Sequence, residues 1–152
     1  MANLDELYRE IILDHYRAPR NRGELPSPPA VTVEGFNPLC GDEVTLYLDV
    51  RDGALADIKI TGRGCSISQS SSSLMSAAVK GRSIDQVREV ISDFKAMMMV
   101  HASTLERPDE PVEVDLRKVG ELAALQGVVR FPVRIKCASL AWNALAQGLD
   151  EL

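Results

Sequence analysis

Three cysteines, Cys40, Cys65 and Cys137, and one nearby acid, Asp42, are the residues of this sequence whose types could do chemistry together. A thiolate is both a nucleophile and a soft metal ligand. Three thiolates and one carboxylate could fill a tetrahedral zinc shell. Asp42 stands two positions after Cys40, so one turn can aim both side chains at one ion, whereas Cys65 and Cys137 come from distant segments and there is no C-x-x-C pair. Spacing alone leaves two readings open, a metal site or three small, well-buried hydrophobes. An odd cysteine count, behind a polar and acidic first ten residues without an apolar signal core, argues against a disulfide framework and for reduced thiols.

Each cysteine falls where the backbone is expected to change direction. Cys40 is in the turn Asn37-Pro38-Leu39-Cys40-Gly41-Asp42, Cys65 follows Gly62-Arg63-Gly64, and Cys137 is read as opening the last helix. Two thiols thus lie at predicted helix N-termini, where unpaired amides and the macrodipole favour the thiolate.

The elements that must position these groups follow from periodicity. Leu4, Leu7, Tyr8, Ile11, Ile12 and His15 recur at helical spacing over Asn3 to Tyr16, with Asn3 and Glu6 as a capping box. Residues 17 to 29 hold four prolines and read as an ordered connection. Val31 to Glu34, Glu43 to Val50 and Leu55 to Thr61 read as strands, the last two joined by the turn signal Asp52-Gly53. Helices are expected over Ser66 to Lys80, Ile84 to Met98, Leu116 to Leu125 and Cys137 to Leu149, with Phe131-Pro132 in a turn. The inward positions are Ile67, Leu74, Met75, Ala78 and Val79, then Val87, Val90, Ile91 and Phe94, then Leu140, Ala141, Ala144 and Leu145. A small three-stranded antiparallel sheet followed by a run of helices, about five in all, predicts a single α+β domain over residues 1–152.

Composition excludes several functions. With 45% hydrophobic and 26% charged residues in 152, the chain is an ordinary globular domain. Seventeen Lys and Arg against 22 Asp and Glu give a net charge of -5, without the basic footprint that nucleic-acid binding needs. No apolar run reaches the roughly 18 to 20 residues of a membrane span, so a cytoplasmic protein is expected.

Five blocks carry a resemblance that spacing does not. Leu13-Asp14-His15-Tyr16, Pro19-Arg20-Asn21-Arg22-Gly23, Asn37-Pro38-Leu39-Cys40-Gly41-Asp42, Gly62-Arg63-Gly64-Cys65-Ser66-Ile67-Ser68 and Arg134-Ile135-Lys136-Cys137-Ala138-Ser139-Leu140-Ala141-Trp142 resemble, in order and along the whole chain, the SufU family within the IscU/NifU N-terminal fold of iron–sulfur cluster assembly proteins. IscU scaffolds carry His directly before the third cysteine; here that residue is Lys136, as in SufU, and the segment within about 82–130 resembles the SufU insertion. The resemblance implies Zn2+ held by Cys40, Asp42, Cys65 and Cys137, and sulfurtransferase activity. Persulfide sulfur would come from a cysteine desulfurase of the SufS type and pass to a downstream Suf cluster-assembly scaffold. It further implies that a desulfurase His displaces Cys40 from zinc, freeing Cys40 to accept the sulfur. The rival reading is a scaffold that assembles a labile [2Fe–2S] cluster on the same ligands; a second is a structural zinc domain.

The remaining candidates divide by context. Arg134, three residues before Cys137, could steady a thiolate or persulfide by charge-assisted hydrogen bonding, and Lys136 could do likewise. His15 lies on an apolar stripe and reads as a packing residue; His101 and the triplet Met97-Met98-Met99 read as structural. The serine run Ser66 to Ser73 can cap a helix and line a polar site, with no His-Asp partner to make one of them catalytic. The basic segment Arg17 to Arg22 is either a solvated face or a contact for the desulfurase.

Overall fold

A computed structural model describes residues 4–27, 29–38, 41–106, 120–130 and 132–151. Its elements are helix α1 (Leu4–Arg17), strands β1 (Val31–Asn37), β2 (Asp42–Arg51) and β3 (Ala54–Arg63), helices α2 (Ser66–Val79) and α3 (Ile84–Glu106), a 3-10 helix (Gly120–Arg130) and helix α4 (Pro132–Asp150). The strands form one antiparallel sheet in the order β1-β2-β3.

Alternation along β2 dictates the sheet's two faces. Val44, Leu46 and Leu48 are buried on the inner face, joined by Val33 from β1 and by Leu55, Ile58 and Ile60 from β3. Asp52 and Gly53 both adopt positive φ, 51° and 75°, the backbone a type I′ hairpin turn requires. Val50, where the β2–β3 register shifts at Asp49/Val50, is partly buried against the same core. The free edge of β3 is covered. Ile60 N–H donates to Asn21 O at 2.9 Å, Gly23 N–H to Ile60 O at 3.1 Å, and Leu55 N–H to Arg82 O at 2.8 Å. The start of the proline-rich connection is thereby laid along the sheet.

The helices pack on the inner face around Trp142, which is fully buried and stacks on Phe94 with ring centroids 4.2 Å apart. Its indole N–H donates to Ser71 Oγ at 3.0 Å, and Ser71 in turn donates to Ala138 O at 2.5 Å. The core of this helical layer is therefore partly polar, and its hydroxyls are spent on defined acceptors. Trp142→Ala removes the stack, the hydrogen bond and a large volume at once. It is expected to destabilise the fold by about 3–5 kcal/mol, read from denaturant unfolding.

Several expectations are corrected. Pro132 opens α4, so the last helix starts before Cys137, and Phe131 lies outside the described residues. Proline belongs at a first helical position, where its missing N–H costs nothing. Cys137 therefore sits inside the helix, not at its N-terminus. The segment expected as a helix over Leu116 to Leu125 is a 3-10 helix from Gly120 to Arg130, with residues 116–119 outside the described set. Leu7, expected inward on α1, is exposed; Tyr8, Ile11 and Ile12 are partly buried against the core. Asn3, the expected cap, also lies outside the described residues. Among the described residues no helix is long and apolar enough to cross a membrane.

Candidate metal centre

Asp42 begins β2 opposite Asn37 at the end of β1, and β3 ends at Arg63, one glycine short of Cys65. The antiparallel register puts Glu43 opposite Arg63, so the start of β2 and the exit of β3 lie side by side. Cys65 is the N-cap of α2, with extended backbone (φ −71°, ψ 170°), and its sulfur accepts the Ser68 N–H at 3.4 Å. Asp42, 1% exposed, accepts the Cys65 N–H on Oδ1 at 3.0 Å and holds Oδ2 4.0 Å from Cys65 Sγ. Cys137, also 1% exposed, turns its sulfur toward Val133 O at 3.7 Å and receives Asn37 Nδ2 at 4.0 Å.

One ligand atom from each of Asp42, Cys65 and Cys137 lies within 4.8 Å of the others. These are three groups that each carry negative charge when deprotonated, two of them buried. Ionised together, such a set is stabilised by a cation. Arg134 supplies one: its guanidinium is held above its ordinary pKa first by the charge of Cys65, then by hydrogen bonds to Cys137 and Cys65. Arg134 is exposed, so it lies over the mouth of the site and not within it. The donor set, two thiols and a carboxylate, suits a borderline metal such as zinc.

The chain's sequence matches the family described as NifU-like N terminal domain over residues 7–138. It belongs to that family. Similar to this NifU-like domain are the zinc-dependent sulfurtransferase SufU of Bacillus subtilis, 41% identical over 99% of this chain and 94% of that protein, and the iron–sulfur cluster assembly scaffold protein IscU of Streptococcus pyogenes serotype M1, 35% identical over 99% and 87%. The crystal structure of FiSufU, a SUF-system protein from Fervidobacterium islandicum AW-1, superposes with a TM-score of 0.80 at 29% identity, covering 97% of this chain and 99% of that one. A NifU-like N-terminal protein from Brucella abortus shares the fold, with a TM-score of 0.76 at 24% identity over 97% of this chain and 95% of that one.

Of the sequence candidates, the NifU-like fold brings Asp42, Cys65, Cys137 and Arg134 together. Cys40 lies outside the described residues, as do the side chain of His101 and the segment at 107–119. Lys136 is exposed. His15 is buried and away from the cluster: its Nδ1 is 2.7 Å from Ser73 Oγ and its Nε2 3.3 Å from Glu121 Oε2. A carboxylate only accepts, so Nε2 carries the proton and, in the neutral ring, Nδ1 accepts from Ser73. That hydroxyl also accepts the Arg20 N–H at 2.8 Å, so the histidine ties α1 to α2 and to the 3-10 helix. In the basic segment, Arg20 pairs with Asp14 at 2.5 Å and Arg22 reaches Gln69 and Gly62 O, each at 3.5 Å.

Sequence reasoning gave no role to Asn37, and it read Ser68 only within the run Ser66 to Ser73 and Gly64 only as a glycine before Cys65 that permits close approach. What approaches Gly64 is legible only in three dimensions. A Cβ there would lie 2.4 Å from Asp42 Oδ1 and 2.9 Å from Asp42 Cγ. The missing side chain is the space the carboxylate occupies. Gly64→Ala is expected to push Asp42 off its hydrogen bond to Cys65 and weaken metal retention at least tenfold, while the far side of the sheet stays folded. Competition with a chromogenic zinc chelator, alongside circular dichroism, reads both; retention equal to wild type would remove Gly64 from the site.

Proposed function

We propose that this NifU-like domain is a zinc-dependent sulfurtransferase that accepts persulfide sulfur from a cysteine desulfurase for iron–sulfur cluster assembly. The observation that carries the reading is the convergence of Asp42, Cys65 and Cys137 beneath Arg134. The full-length similarity to a zinc-dependent sulfurtransferase supports it. Cys40, two residues before Asp42, completes the donor set with a third thiolate. The residues present fit zinc in chemistry: soft thiolates, one carboxylate, buried, and a glycine cradle kept clear for the carboxylate. Bound zinc supplies the positive charge that keeps thiolates deprotonated at neutral pH.

In the transfer, the Cys40 thiolate attacks the outer sulfur of the desulfurase persulfide. A new sulfur–sulfur bond forms on Cys40, the bond to the desulfurase cysteine breaks, and that cysteine leaves as a thiolate. No external oxidant or reductant is consumed. Arg134, exposed at the mouth, offers hydrogen bonds to the anionic sulfur as it arrives. Cys65, Cys137 and Asp42 hold the site while Cys40 works. The desulfurase is of the SufS type, the sulfur passes on to a Suf cluster-assembly scaffold, and the reaction is cytoplasmic. The domain spans residues 1–152 with an insertion within about 82–130.

A second reading, a scaffold for a labile [2Fe–2S] cluster on the same ligands, is favoured by the 35% identity to a protein of that name. Elemental analysis of the purified chain, combined with desulfurase turnover, separates the two. The sulfurtransferase reading expects about one zinc per chain and faster desulfurase turnover when the chain is added. An iron–sulfur chromophore without zinc and without stimulation would establish the scaffold instead.

A further inference from the structure

Six serines of α2 are buried, and five of them have a clear use for their hydroxyl. Ser70 donates to Ile12 O at 2.8 Å, Ser71 to Ala138 O at 2.5 Å, Ser72 to Ser68 O at 2.9 Å and Ser76 to Ser73 O at 2.8 Å, while Ser73 bonds His15 at 2.7 Å. Ser68 is the exception. It is 3% exposed, its N–H goes to Cys65 Sγ and its carbonyl receives Ser72, but its hydroxyl has no partner among the described residues. A helical serine ordinarily turns its hydroxyl back to the carbonyl three or four residues earlier, as Ser72 and Ser76 do here. Ser68, in the first turn, has Gly64 outside the helix four residues earlier and the N-cap Cys65 three earlier, and it makes no such bond.

Its place says what the hydroxyl faces. Ser68 lies one turn ahead of Ser71, on the side of α2 that meets α4, and Ser71 touches Ala138, the residue after Cys137. Side chains of a helix lean toward its N-terminus, and the N-terminus of α2 is Cys65. This lean aims the hydroxyl toward the first turn of α2, a helix end that favours negative charge and that carries Cys65, although it makes no hydrogen bond to the sulfur of Cys65 or of Cys137 here.

We propose that Ser68 is a positioning residue whose hydroxyl donates to the sulfur pair of Cys65 and Cys137 once these are metal-held thiolates. The inference rests on the metal reading above. Outer donors of this kind orient ligands and lower their basicity. Here the hydroxyl, with the Ser68 N–H and Asn37 Nδ2, would make a set of donors around the two anchoring sulfurs. Its consequence is selectivity among the thiolates. Hydrogen-bonded Cys65 and Cys137 are poor nucleophiles, which leaves the attack on persulfide to Cys40.

The test loads cobalt(II) in place of zinc into wild type, Ser68→Ala and Ser68→Thr. Loss of a hydrogen bond raises the energy of the thiolate lone pair. Ser68→Ala should therefore bind cobalt with its thiolate-to-cobalt absorption moved to longer wavelength, and iodoacetamide should alkylate Cys65 and Cys137 of the loaded protein several-fold faster. Ser68→Thr, which keeps the hydroxyl, should restore both. A folded, cobalt-loaded Ser68→Ala with an unmoved band and unchanged alkylation overturns the inference and leaves the metal reading standing. A Ser68→Ala chain that does not fold places the hydroxyl in folding and also overturns it. Wild type that takes up no cobalt and no zinc overturns the metal reading, and this inference with it.

Discussion

Cys40→Ser is expected to retain a large part of its zinc and to accept no sulfur. The three cysteines are not equivalent in their anchorage. Cys65 caps α2 and is tied by the Ser68 N–H and by Asp42, and Cys137 is buried inside α4 with Val133 O and Asn37 beside it. Moving either sulfur disturbs packed structure. Cys40 belongs to the connection between β1 and β2, flanked by Gly41, whose φ of 71° suits glycine. Serine at position 40 leaves three donors for the metal but removes the nucleophile. Sulfur acceptance should then fall to the level seen without the protein, while zinc measured on the same sample stays near stoichiometric. Parallel loss of zinc and activity in Cys40→Ser, matching Cys65→Ser, would make all three cysteines structural ligands.

The second large effect is on stability. Ligands from β2, α2 and α4 can share one ion only when those elements are in place, so metal binding is linked to folding. With free zinc about a thousandfold above its dissociation constant, binding contributes about 4 kcal/mol. For a domain of this size, that is a fall in Tm of about 8–16 °C on complete chelation. Cys65→Ser and Cys137→Ser should show most of that fall even with zinc present, and Cys40→Ser distinctly less. An unchanged Tm after verified zinc removal would contradict a linked site.

The sheet was legible because its signals are local: Val44, Leu46 and Leu48 alternate, and Asp52-Gly53 is a turn dipeptide whose two positive φ values the fold uses. The start of α4 was misread, because a proline after an aromatic looks like a turn until the helix beyond it is seen to begin on that proline. That changes the chemistry. Cys137 owes its setting to Arg134 and Asn37, not to a helix end, whereas Cys65 is at an N-cap as its sequence implies. The serine run read as polar lining, yet most of it is core. The acceptors that make this tolerable, Ile12 O and Ala138 O, lie far along the chain and leave no local pattern. The pairing of Asp42 with Cys65 was likewise invisible to spacing, since it comes from the β2–β3 register and from a glycine that makes room. The resemblance carried by the matched blocks grouped these residues before any geometry did.

The most direct test of the account is where the sulfur lands. Zinc-replete protein is incubated with cysteine desulfurase and cysteine, persulfides are trapped by alkylation, and each cysteine is mapped by mass spectrometry. The account predicts one added sulfur on Cys40, with Cys65 and Cys137 unmodified and zinc still bound. Sulfur on Cys65 or Cys137 with Cys40 unmodified would contradict it.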